Sequence, residues 1–119
     1  MMECKDEKSL YIYALNRDFD VETAKEILAH PCCSLAIALC LFYKSQEFDP
    51  APGSKEEMEL IQFSQNLYLD IKKWKYVPRE MGYKVPLSPS QKFKLNLELE
   101  EEDKILIRDV PGILPESLS

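Results

Sequence analysis

Nine consecutive apolar residues, Leu35–Tyr43, dominate the middle of this sequence. A bilayer span needs about 20 such residues, so the run is too short to cross a membrane. Alanine and leucine favour a helix over a strand. A helix with no polar side must be covered on every side. Ser34 stands where an N-cap belongs. The run therefore predicts a central helix from Leu35 to about Lys44, with Ala36 and Ala38 letting neighbours approach closely.

The rest of the 119-residue chain supplies those neighbours. Ser9 to about Asn16 reads as a short helix with Leu10–Ala14 and Tyr11–Leu15 as i,i+4 pairs. Asp20 can cap a second helix reaching Ala29, with Glu22 in its first turn and Val21, Ala24, Ile27 and Leu28 as its stripe. Pro31 ends it. After the Phe48–Gly53 loop, Ser54 and Glu57 have the spacing of a capping box. Leu60, Ile61, Ser64, Leu67, Tyr68, Ile71 and Trp74 then predict one long helix to about Tyr76, with Trp74 anchoring its end in the core.

Beyond Pro78 the signals conflict. Ser88-Pro89-Ser90-Gln91 has the form of a helix cap. Yet Phe93, Leu95, Leu97 and Leu99 alternate with polar residues as on a strand, and on a helix they would fall on opposite sides. Alternation favours a hairpin over 90–109, with Glu100–Asp103 as its turn; a fifth helix is the alternative. The expected fold is mainly α: a compact four-helix single domain over 1–119. It has a helical core over 9–77, a C-terminal β-hairpin or fifth helix over 90–109, and an extended tail over 110–119.

Charge is segregated along the chain. The net charge is -6 overall, made of -6 over residues 1–60, +5 over 61–97 and -5 over 98–119. The basic block can pair with the acidic ones inside the fold. The overall surplus repels nucleic acid and anionic lipid. Cys4, Cys32, Cys33 and Cys40 do not form a disulfide framework, because adjacent Cys32 and Cys33 would be strained as a pair. The charged start has no signal-peptide pattern, so the expectation is reduced thiols and a cytoplasmic location.

His30-Pro31-Cys32-Cys33-Ser34-Leu35-Ala36-Ile37-Ala38-Leu39, followed by Phe42-Tyr43, resembles the bacterial domain-of-unknown-function family 4274 over residues of about 10–80. That family carries a helix ending in His-Pro, an Asn-Cys-Asp turn and an apolar helix. Here Cys33 matches the family cysteine, Cys32 stands at the asparagine and Ser34 at the aspartate, where it keeps the capping role. The resemblance implies a small helical domain and supplies no activity. Small bacterial families of this kind often include immunity proteins paired with toxins.

Catalytic signatures are weak. Cys33 before a helix N-terminus, with His30 nearby, is the thiol-enzyme alternative. It lacks an oxyanion-hole glycine and an orienting group. His30, Cys32 and Cys33 have no Cys-x-x-Cys spacing for zinc. No metal ligand, cofactor or catalytic residue is expected. Lys72, Lys73, Lys75, Arg79 and Lys84 lie among Trp74, Tyr76 and Tyr83, which is the nucleic-acid adaptor alternative. Glu98, Glu100, Glu101, Glu102 and Asp103 form the sharper feature. With Asp18 and Asp20 they are the candidate contacts to a partner protein with a basic surface, possible occupants including a toxin domain. The leading expectation is a non-catalytic binding domain, in its most concrete form an immunity-type inhibitor of a cognate bacterial toxin.

Overall fold

A computed structural model describes residues 6–114 of the chain. Five α-helices and a 3-10 helix follow in order: α1 Glu7–Asn16, α2 Val21–Ala29, α3 Leu35–Glu47, α4 Lys55–Lys72, α5 Pro89–Glu98 and the 3-10 helix Glu101–Ile107. Cys4 and residues 115–119 lie outside the described residues.

The expected central helix is central. Leu35 through Leu41 are all buried, and α1, α2 and α4 pack around them. Ser34 occupies the N-cap position of α3, but its hydroxyl makes no capping bond and is buried without a partner. The N–H of Leu35 donates instead to the Val77 carbonyl at 2.9 Å. Asp20 caps α2 as expected, accepting from the Thr23 N–H at 3.1 Å and the Thr23 hydroxyl at 2.7 Å. α1 starts earlier than expected: Asp6 is its cap, and the Ser9 N–H donates to it at 2.8 Å. Lys44 reaches from α3 to the far end of α1. Its three ammonium protons go to the Ala14, Leu15 and Arg17 carbonyls at 2.8, 3.0 and 3.1 Å, satisfying a helix end that has no cap of its own.

α4 stops at Lys72, short of the expected Tyr76. Trp74 adopts a left-handed backbone, φ +59°. Its N–H donates to the Ile71 carbonyl and that of Lys75 to the Asp70 carbonyl, both at 3.0 Å. This pair of bonds is the Schellman arrangement, with tryptophan where glycine is usual. The turn corrects the sequence expectation for Trp74: the indole leaves the core and is 56% exposed. The buried stripe of α4 is Leu60, Phe63, Leu67 and Ile71, while Ile61 faces outward.

The hairpin is absent: residues 89–98 are helical and no strand occurs among the described residues. The helix cap outweighs the alternation. Ser88 Oγ accepts from the Gln91 N–H at 3.2 Å and Gln91 Oε1 accepts from the Ser88 N–H at 2.8 Å. Glu100–Asp103 open the 3-10 helix rather than a turn, and its Ile105, Leu106 and Ile107 are buried. The chain then crosses back over residues 80–83. Tyr83 and Val110 exchange two backbone bonds, and the Gly82 N–H donates to the Ile113 carbonyl at 2.8 Å. The crossing is too close for side chains at its glycines. A Cβ on Gly82 would stand 2.6 Å from the Val110 oxygen, and one on Gly112, φ +142°, 2.5 Å from that of Glu80.

α1 fastens this crossing from below. Buried Glu7 accepts from the Glu80 and Met81 N–H groups at 2.9 and 3.1 Å through Oε1, and Tyr11 donates to the Gly82 carbonyl at 3.1 Å. The first charged residues of the sequence carry no visible hint of this role, because the partners lie more than 70 positions away.

Candidate protein-binding surface

α5 is the part of the fold whose apolar residues are least accounted for. None of its ten residues is buried. The alternating Phe93, Leu95, Leu97 and Leu99 become two i,i+4 pairs on opposite sides of the helix. Leu95 and Leu99 face inward and are half-buried. Phe93 and Leu97 face solvent at 68% and 71% exposure. The alternation in the sequence favours one shared strand face for all four; the helix divides them between two sides. The outward position of Phe93 and Leu97 follows from the helix cap.

The acidic segment continues directly from this helix, and its carboxylates divide into two kinds. Asp103 is structural: it accepts from the Tyr68 hydroxyl and lies 2.9 Å from the Lys72 ammonium. Those two donors hold its carboxyl below the usual range. The same contact raises the Tyr68 hydroxyl above its ordinary value. Glu101 is bound by Lys104 at 2.8 Å, with Arg108 at 3.6 Å, and its carboxyl is lowered by them. Glu102 lies 3.7 Å from Lys72 and stays exposed. Glu98 and Glu100 are exposed and have no ion pair or side-chain hydrogen bond among the described residues. Glu98, Glu100, Glu101 and Glu102 are therefore exposed carboxylates that follow Phe93 and Leu97 directly in the chain.

Asp18 and Asp20 lie elsewhere, on the connection between α1 and α2. Asp20 is occupied in capping, and its bonds to Thr23 hold its carboxyl low. Asp18 is exposed beside Arg17 and Phe19.

Other chemistry-bearing residues are placed as follows. His30 Nδ1 accepts from the Cys32 N–H at 3.0 Å, within the turn itself. Burial, with Glu7 nearby, pushes the Cys33 thiol up to about 12, the opposite of what an attacking thiolate needs. Burial raises Cys40 to about 11. No three metal-ligating side chains come together among the described residues, and no described helix is long and apolar enough to cross a membrane. Within the basic block, Lys72 is spent on Asp103 and Arg79 donates to the Pro31 carbonyl at 3.3 Å. Tyr76 is buried and Tyr83 stacks on Tyr43, leaving Trp74 as the exposed aromatic of that block.

Compared with known family models, curated proteins and solved structures, the chain matches none.

Proposed function

We propose that this chain is a non-catalytic protein-binding domain whose binding surface is the outer face of α5 with the exposed carboxylates that follow in the chain. The observation that carries this reading is the exposed Phe93–Leu97 pair on a helix that buries no residue of its own, followed in the chain by the exposed Glu98 and Glu100–Glu102. Apolar anchors supply binding energy when a partner covers them. Unpaired carboxylates such as Glu98 and Glu100 steer an oppositely charged partner. The partner in this reading is a protein with a basic surface. Its most concrete form is a toxin domain, with this chain as the immunity-type inhibitor. The raised Cys33 thiol weighs against the thiol-enzyme alternative, and the internal pairing of Lys72 and Arg79 weighs against a nucleic-acid groove.

Capture on the tagged chain from bacterial lysate, at low and high salt, tests the reading. The expected result is one stoichiometric basic protein, released as salt rises and lost when Phe93 and Leu97 are both changed to serine. Reversing Glu98 and Glu100 to lysine should slow association by about tenfold while the fold is kept, since neither carboxylate holds a structural contact. Equal capture by the serine variant would remove α5 from the interface.

A further inference from the structure

A second apolar face lies on α4, on the side opposite its buried stripe. Met58, Ile61 and Leu69 are 70%, 50% and 47% exposed. With exposed Gln65 they recur at intervals of three and four, so they line one side of the helix. The ten residues Leu60–Leu69 carry no charge at all, in a chain that is 30% charged. Surface helices ordinarily turn charged residues to solvent. Beside this stripe, Phe42, Gln46, Ser64, Gln65, Tyr68 and Leu69 line an open groove of about 430 Å³ between α3 and α4.

Charge returns at both ends of α4 with opposite sign. Residues 55–59 are net -2, and residues 70–75, which close α4 and run on through its final turn, are net +2, with Lys72 held by Asp103, Lys75 beside Asp70 and Lys73 exposed. A helix that is negative at one end, neutral and apolar in the middle and positive at the other is complementary to itself when reversed. We infer that a second copy of this chain docks on the outer face of α4, the two helices running antiparallel about a two-fold axis near Gln65.

The geometry of an antiparallel pair makes this specific. With Gln65 opposite Gln65 of the other copy, Ile61 of each meets Leu69 of the other. On one flank Glu59 then faces Lys73 of the other copy, a pair of opposite sign, while Lys72 on the other flank stays held by Asp103 of its own chain. The opposed helix dipoles favour the same direction. A parallel arrangement would put like charges together at both ends. Depletion of charge at the centre with apolar and amide side chains fits the core of a homodimer interface, and the self-complementary patch fits a two-fold one. This surface is distinct from α5, so a dimer and the proposed partner interface stand or fall separately.

Sedimentation velocity on the full chain, up to about 0.5 mM, reads the outcome. The expected result is a concentration-dependent dimer of twice the 13.8 kDa chain mass. Ile61→Asp and, separately, Gln65→Lys should each weaken it by at least about tenfold. Their far-UV spectra and melting temperatures should match wild type, because neither side chain faces the core. Lys73→Glu should weaken the dimer, and Glu59→Lys added to it should restore much of the loss. A monomer throughout the concentration range would overturn the inference. So would a dimer that Ile61→Asp and Gln65→Lys leave unchanged, or a charge swap that restores nothing.

Discussion

Trp74 holds a left-handed backbone that costs an ordinary residue about 1–2 kcal/mol relative to the right-handed region. The position is forced by the two bonds that close α4 on Ile71 and Asp70. Replacing tryptophan by alanine or by glycine removes the same indole, so the difference between the two variants isolates the backbone. Trp74→Gly should be more stable than Trp74→Ala by about 1 kcal/mol in urea unfolding; equal stabilities would show that the turn relaxes when the indole leaves. The sequence could not reveal this site, because a non-glycine left-handed residue leaves no composition signal, and Trp74 continued the apolar period of α4 into a turn. Cys33 offers a second residue-level test. A thiol pushed up to about 12 by burial carries almost no thiolate at neutral pH. It should react with iodoacetamide at pH 7 far more slowly than a model thiol, measured by mass spectrometry of the labelled peptide, and faster labelling would revive the thiol-enzyme alternative.

At the scale of elements, the helices with strong caps and long periods were legible, and the contest over residues 90–109 shows what decides a weak one. Strict alternation of Phe93, Leu95, Leu97 and Leu99 is the pattern of a half-buried strand, but a strand needs a neighbour to pair with. The local capping box at Ser88 and Gln91 forms without any distant partner, and the following apolar residues Ile105–Ile107 were drawn into the core as a 3-10 turn. α5 is then tied down by its half-buried Leu95 and Leu99 and by Lys92, which lies 2.9 Å from Asp109; Asp109 also accepts from the Val85 N–H at 2.8 Å. Burial opposes the Asp109 charge, but Lys92 and Val85 outweigh it and hold the carboxyl below its ordinary 3.8. A lowered folded value means that this fastening contributes fully above the unfolded value and is lost as pH falls through the folded one. Asp109→Asn should therefore narrow the stability gap between pH 6 and pH 3 in paired urea titrations. An identical pH dependence in both proteins would show that Asp109 titrates alike in the folded and unfolded chain.

At the scale of the whole molecule, the segregated charge of the sequence turns out to be partly self-neutralising: Lys72 and Lys92 of the basic block meet Asp103 and Asp109 of the acidic end. This pairing was foreseen as one reading of the charge blocks. Which carboxylates would be left over was not, because that depends on the turn of a 3-10 helix that no pattern announced. The same contacts bind the C-terminal quarter to the helices. Ile105, Leu106 and Val110 share one buried cluster with α3, and α1 grips residues 80–82 through Glu7 and Tyr11. The chain should consequently unfold in one step. Leu39 is fully buried in the middle of α3, the helix that α1, α2 and α4 pack around. Leu39→Ala should cost about 2–5 kcal/mol. It should lower the urea midpoint equally whether unfolding is followed by far-UV dichroism, which reports the helices, or by Trp74 fluorescence, which reports the far end of α4. Midpoints that separate would mean that the C-terminal quarter and its crossing open independently of the core around α3, and the charge pairs at Lys72 and Lys92 would then be the seam along which they part.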